Sequence, residues 1–419
     1  MFDPWLALRS PEASDGHLHP LVGHLIAEIT SMERRKRSRS SSMEDGLRLG
    51  IESVTANLVR AALYQPEGKL LVLLARPTDK QSRYDRPGFR KLREWLLTLE
   101  TLGYVEVRAS RKIGVASHVV VTGKFCSLLD QASIAATDRD LQRLDGWELV
   151  ILRRNVRLRP GGVKFGQNLD YVDTAETRKF REELVMINRW LRNADIGFFG
   201  NVAVDLTRKT LHRSFILPPF IETDRAIFDY GGRLGGGWWM SLPKAERRFI
   251  RIDGEDQISD LDFSSMFVRL ALHSVGAPLP DGDLYGAIPG VETEEHRQAV
   301  KTVVLNLLGR SSPLAKLPAG VGPGLPPQLR SAVAVRSAIL NSIPGLEAAV
   351  ERGLCYSLFR TESNILVRAL LKLTALNITG LGMHDGIMVA ASRAELAKAA
   401  LQEAAREEIG VELPVVRKM

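Results

Sequence analysis

An α+β fold divided among two or three domains is what this sequence predicts, and three observations carry that expectation. The run Gln257-Ile-Ser-Asp-Leu-Asp-Phe263 alternates apolar with polar residues and breaks into a helical pattern at Ser264. Between 87 and 121 a helical pattern, a glycine and two short strand-like runs follow one another. A chain of 419 residues with 45% apolar and 25% charged content has the make-up of an ordinary globular protein with a large core.

Charge and cysteine content narrow the class. Fifty-seven Lys and Arg against 49 Asp and Glu leave a net charge of +8, which permits a polyanionic partner without requiring one. Cys126 and Cys355 stand far apart, which argues against a disulfide framework and a thiolate zinc site. His17, His19 and His24 lack an accompanying carboxylate or thiol at ligand spacing. No uncharged apolar run reaches the length of a membrane span, and Met1-Phe-Asp-Pro-Trp5 lacks the order of a signal peptide. A cytoplasmic protein with no membrane partner is the expectation.

Residues 1–44 are expected to form a flexible basic N-terminal segment. They hold one modestly apolar stretch, 21–29, before Glu33-Arg-Arg-Lys-Arg-Ser-Arg-Ser-Ser-Ser42. That run reads as a solvated linker, or as a phosphate-gathering one. A first domain, 45–125, opens with a helix at 47–64 and an apolar stretch at 70–74. Its second helix, 87–102, puts Phe89, Leu92, Trp95, Leu96 and Leu99 on one face and Arg90, Lys91 and Arg93 on another. Gly103 ends it, and strands at 104–107 and 118–121 are joined by Ala109-Ser-Arg-Lys-Ile-Gly114. This order resembles a winged helix-turn-helix domain with its wing at Arg111 and Lys112. The resemblance implies a basic helix placed in the major groove of DNA; a winged helix that binds protein is the alternative.

A connector, 126–172, includes a strand at 148–157. The second domain, 173–419, begins with a helix at 175–191 whose Phe180, Leu184, Ile187 and Leu191 recur at helical spacing. Within it the alternation puts Asp260 and Asp262 on one face and Leu261 and Phe263 on the other. A carboxylate where a strand meets a helix either reaches into a cleft to hold a divalent cation or caps the helix. Three further segments follow a fixed order around it: Gly232-Arg233-Leu234 with Leu242-Pro243 upstream, a helix with Arg297 and Lys301 on one face, and Met383-His-Asp-Gly386 between apolar runs that suit a hairpin.

In this order the segments resemble the palm and fingers of DNA polymerase family A, to which the single-subunit phage RNA polymerases are related. Asp262-Phe-Ser with Arg269 is similar to motif A, Arg297 and Lys301 to the fingers helix of motif B, and His384-Asp385 to motif C. Arg233 matches the family's Gly-Arg-Leu segment that touches the primer-template duplex, and 361–368 resembles the helix packed under the palm. The resemblance implies an antiparallel palm sheet with helices and two Mg²⁺ ions, with Mn²⁺ as a substitute, held by Asp262, Asp385 and the Phe263 carbonyl. It also implies Arg297 and Lys301 on the nucleotide, and Arg233, Arg269 and His384 on the primer-template. The intervals from Asp262 to Lys301 and from Lys301 to Asp385 are compact for the family and imply reduced helical fingers, with a Pro- and Gly-rich loop at 317–327 as a mobile element.

The departures matter as well. Leu305 and Gly309 stand where the family has aromatic residues, and Gly386 where it usually has glutamate. Phe267 replaces a glutamate; it either excludes a ribose 2′-hydroxyl, favouring deoxynucleotides, or packs in the core with Leu270 and Ala271. Arg297 and Lys301 have a plainer reading too, an exposed basic helix paired with Glu294 or Glu295. Three functions fit: a small DNA-dependent DNA polymerase acting on a DNA primer-template with nucleoside triphosphates, an RNA polymerase or primase with the same palm, or a non-catalytic initiator or regulatory protein that binds DNA.

Overall fold

The computed structural model describes residues 6–8, 18–33, 37–64, 69–72, 82–84, 91–110, 117–131, 141–143, 147–157, 164–218, 221 and 226–418. It is a mixed α+β chain of two compact units, one built from 1–148 with 201–209, the other from 149–200 with 210–419. The division at Glu148 lies inside the stretch expected to be a connector, because the strand that follows belongs to a sheet of the second unit.

In the first unit the order is β1 (Leu6–Leu8), α1 (His19–Met32), α2 (Ser41–Tyr64), β2 (Lys69–Val72), α3 (Leu92–Thr101), β3 (Val105–Arg108), β4 (Ser117–Val121), α4 (Gly123–Gln131) and β5 (Leu141–Arg143). Residues 19–32 are therefore not part of a flexible segment. Leu21, Val22, Leu25 and Ile29 recur every three or four residues and join Ile51, Val54 and Leu58 of α2 in one buried cluster. The basic run beside them masks this pattern in the sequence. Helix α2 starts at Ser41, and Gly50 lets the Trp95 ring of α3 lie where a β-carbon would stand, 1.9 Å from the nearest ring atom. At the end of α3, Gly103 takes φ +80° and Tyr104 N–H donates to the Leu99 carbonyl at 2.9 Å, a left-handed stop that feeds the chain into β3. Strands β2, β4 and β3 form an antiparallel sheet in that order.

The second unit continues with β6 (Val150–Arg157), β7 (Lys164–Asn168), α5 (Ala175–Asn193), β8 (Ile196–Phe198), β9 (His212–Leu217), β10 (Gly231–Gly235), β11 (Ile250–Ile252), β12 (Ile258–Phe263), α6 (Met266–Ser274), α7 (Glu294–Gly309), α8 (Ala332–Ser342), α9 (Cys355–Ala375), β13 (Leu381–Met383), β14 (Gly386–Ala390), α10 (Ala394–Ile409) and β15 (Val415–Arg417). Thr174 and Thr177 form a reciprocal capping box that starts α5. One sheet has the order β10-β9-β6-β7, with β6 and β9 parallel. A second, β13-β14-β12-β15, is antiparallel throughout and carries α10 against it, while α9 packs on β10 and α10, and β8 and β11 pair separately.

Strand β12 is buried along its whole length, as befits a central strand flanked by β14 and β15. The loop at 317–327, expected to be mobile, contains a short 3-10 turn at Gly322–Gly324, and a second, Pro327–Leu329, follows. Arg330 fastens it by donating to the Leu325 and Pro323 carbonyls at 3.1 and 3.2 Å. Among the described residues no helix is long and apolar enough to cross a membrane.

Candidate active site

The register of β12 against β14 sets the site. Asp262 faces Gly386, Phe263 N–H points at the Asp385 carbonyl at 3.5 Å, and Met383 faces Gly386 across a two-residue turn made of His384 and Asp385. This brings Asp262, at the end of a strand, beside Asp385, at the tip of a hairpin. His384 holds φ 52°, at a turn position more often filled by glycine. Gly386 has a steric reason: a β-carbon there would lie 2.4 Å from the Leu261 carbonyl oxygen and 3.2 Å from Asp262 Oδ1. The glutamate that the resemblance leads one to expect at this position has no room.

Asp262 does not cap a helix. The residue before α6 is Ser265, left-handed at φ 52° and with no side-chain cap, and its hydroxyl instead contacts Asp283 and Leu284 N–H. Asp262 is 4% exposed. Its Oδ2 is paired with Lys418, and its Oδ1 is buried with no hydrogen-bond partner among the described residues. Asp260, two residues back on the same face, is a third carboxylate that the alternation had placed there without a role. Burial raises its pKa, Lys418, Arg247 and Lys244 oppose that, and Asp385 adds to it.

Arg233 lies on β10, where Gly231 and Gly232 both take φ +80° and the register slips. Behind it the Gly232 carbonyl accepts from Arg213 Nε at 2.9 Å and from the Ser363 hydroxyl. Arg213 is wholly buried, with its guanidinium 4.8 and 5.0 Å from the Phe180 and Phe215 ring centres. Burial, then the Arg360 charge, pulls its pKa down to about 9. The Arg233 guanidinium itself lies 3.9 Å from the Phe359 ring centre and 5.3 Å from that of Phe267. It donates to Glu362 at 2.7 Å. Phe267, 6% exposed, meets Phe359 edge-on at 5.1 Å. Its ring is packed as a core residue is packed, and it is also beside the site.

On α7, Arg297 makes a two-pronged pair with Asp283, at 2.6 and 3.2 Å. Glu294 is more distant at 3.8 Å. Burial works to raise Asp283, and the Arg297 and Tyr285 hydrogen bonds outweigh it, leaving the carboxyl below its ordinary range. Lys301, one turn on, has no ion pair among the described residues, and its charge reaches Glu362. Tyr285 is pushed above the usual phenol value by burial and by Asp385. Asp385, Lys301 and Arg233 thus all act on the Glu362 charge, while Arg297 bears on Asp283 and Tyr285. The His384 ring is held below the ordinary imidazole value by desolvation and by Arg233, against Asp385.

Arg269 requires a correction. Expected on the primer-template, it is 2% exposed and spends its guanidinium on the carbonyls of Ser264 at 2.9 Å, Gly282 at 2.7 Å and Pro280. It ties the start of α6 to the 280–282 loop. Of the residues expected to face DNA in the first unit, Arg90, Arg111 and Lys112 lie outside the described residues. Lys91 and Arg93 are exposed at the start of α3, with Lys91 3.2 Å from Glu94.

Asp262 and Asp385 suit Mg²⁺, which takes one or two carboxylates and keeps much of its water. The orphaned Oδ1 of Asp262 is a buried anionic acceptor that a cation would satisfy. Among the described residues no cluster of three or more His, Cys, Asp or Glu forms a ligand set, so two side chains with a backbone carbonyl is the donor set the strand ends offer.

No protein-family model matches the chain, and no curated protein does. Among solved structures it is similar to the POL domain of Pol1 from M. smegmatis in complex with DNA primer-template and dNTP. The identity is 13% and the TM-score 0.31, over 58% of this chain and 50% of that one. A likeness of that size establishes neither fold nor function, and the match spans only half the length of that structure.

Proposed function

We propose that the chain is a template-directed nucleotidyltransferase, a small DNA-dependent DNA polymerase of the family A type that extends a primer. One observation carries the reading: Asp262 ends β12 one register step from Asp385, in the turn that leads into β14, and a buried oxygen of Asp262 is left without a partner among the described residues. Asp262, Asp385 and the Phe263 carbonyl would hold Mg²⁺, which when bound supplies activation of the primer hydroxyl and neutralisation of the leaving group. Lys301, and Arg297 once exchanged from Asp283, neutralise triphosphate charge from one face of α7. Arg233 meets the primer-template, with the Phe359 ring and Glu362 orienting its guanidinium, and His384 is presented at the turn. Phe267 borders the same place and is assigned to the sugar of the incoming nucleotide. Lys91 and Arg93, with Arg90, Arg111 and Lys112, are assigned to DNA binding by a winged-helix module.

Primer extension with labelled deoxy- and ribonucleotides, with and without a primer, tests this. The purified protein should incorporate deoxynucleotides onto a primer, and the Asp262→Asn, Asp385→Asn double variant should not. Ribonucleotide synthesis without a primer would replace the reading with a primase. Salt-sensitive DNA binding with no incorporation would replace it with a non-catalytic DNA-binding protein.

A further inference from the structure

A cation sits inside the site where the proposed function requires metal. Strand β15 runs antiparallel to β12, with Phe263 facing Val415, Asp262 facing Val416 and Leu261 facing Arg417. One step further on, Lys418 N–H donates to the Asp260 carbonyl at 2.8 Å. Residues that face each other in such a ladder project to the same side of the sheet. Lys418 therefore emerges on the side of Asp260 and Asp262, and its ammonium pairs with Asp262 Oδ2. Lys244 and Arg247 bear on both Lys418 and Asp260, so the Asp260 carboxylate also lies in a cationic field.

A carboxylate as buried as Asp262 is costly to leave bare. Without metal it needs a counter-charge, and the ladder delivers one. With metal, the same oxygen is required as a ligand, and an ammonium and a divalent ion cannot both occupy it. The Lys418 side chain is 41% exposed. A lysine is a compact charge on a flexible four-carbon stem, so its head can swing into solvent while its backbone N–H stays in place.

We propose that Lys418 is the resident counter-cation of Asp262, that it occupies the place of a metal ion, and that it sets the metal affinity of the site by having to leave when a divalent cation binds. The inference rests on the reading of Asp262 as a metal ligand. Lys418 is a positioning residue in this scheme: it touches a ligand and acts through it.

The test is Mn²⁺ binding to the full chain, followed by electron paramagnetic resonance, for the parent, Lys418→Met, Lys418→Arg and the Asp262→Asn, Asp385→Asn double variant. Removing one adjacent unit charge should tighten Mn²⁺ binding in Lys418→Met by about tenfold or more. Lys418→Arg, which keeps the charge, should stay within about threefold of the parent. A purely structural lysine would not separate these two variants. Equal affinity in the parent and Lys418→Met, with binding abolished by the double variant, overturns the counter-cation and leaves the metal site standing. Absence of binding throughout, or binding indifferent to the aspartates, overturns the metal-site reading and the counter-cation with it.

Discussion

The Glu362 carboxylate accepts a 2.7 Å hydrogen bond from Arg233 and is wholly buried, while Arg233 is half-buried over the Phe359 ring. A glutamate in that setting keeps its charge at a cost. Burial raises its pKa to about 7, against the opposing pull of Arg233 and Lys301. One of its oxygens, and Arg233 Nε, are buried without a hydrogen-bond partner among the described residues.

Stability should therefore depend on pH through Glu362. The folded-state pKa lies above the unfolded one, so the folded protein binds the proton more tightly. This contribution is fully present below pH 4.5 and is lost as pH rises through about 7. The shift corresponds to about 3 kcal/mol. Thermal melting should show the parent losing stability across that window and Glu362→Gln, with nothing to titrate, showing a flatter profile. Parallel profiles would mean that Glu362 is not the group responsible.

On the proposed function, Asp262→Asn and Asp385→Asn should each reduce primer extension by about 10³-fold or more, since each would remove a charged ligand from the proposed metal site. DNA affinity measured by fluorescence anisotropy should change little. Retention of extension by either variant would remove that aspartate from the chemistry.

Phe267→Ala should lower discrimination against ribonucleotides by about tenfold or more if the ring meets the sugar, at a stability cost of about 3 kcal/mol for an emptied aromatic site. The ratio of kcat/KM for the two nucleotide types is the measurement. A destabilised protein with unchanged discrimination would assign Phe267 to packing against Phe359 alone.

Arg269→Lys should destabilise the second unit by about 2 kcal/mol or more, because a single ammonium cannot serve the carbonyls of Ser264, Pro280 and Gly282 together. Denaturant unfolding gives the number. DNA affinity of the folded fraction should match the parent; a selective loss of affinity would return Arg269 to the primer-template.

Gly386→Ala should weaken both fold and site. The added methyl meets the Leu261 carbonyl and Asp262 Oδ1, so β12 and β14 must part or the carboxylate must turn. A lower Tm together with weaker Mn²⁺ binding is expected; a Tm equal to the parent's would show that the strands give way easily.

What could be read in the sequence was local. Alternation at 258–263 marks β12 because a pleated strand sends successive side chains to opposite faces, and the apolar runs around His384-Asp385 mark a hairpin because few residues separate them. Arg297 and Lys301 fall on one helix face by spacing alone. The missed residues depend on long-range packing. Lys418 reaches Asp262 through the pairing of β12 with a strand of only three residues, too short to leave a periodic trace. Glu362 looks like any helical glutamate until α9 turns it toward Arg233. The resemblance to motif A places Arg269 on the primer-template, and nothing local tells that the carbonyls at 280 and 282 close over it. The α1 helix was hidden by the charge of the run that follows it.

Strand β12 lies between β14 and β15, so on the proposed reading Asp262 neighbours both its fellow ligand, at the turn into β14, and its counter-cation through backbone ladders. Slipping β15 by one residue would send Lys418 to the opposite face of the sheet and bring Arg417 round in its stead. The strength of the charge opposing a metal is thus written as an alignment, and a single inserted residue between Leu413 and Val415 would rewrite it without altering any side chain in the site.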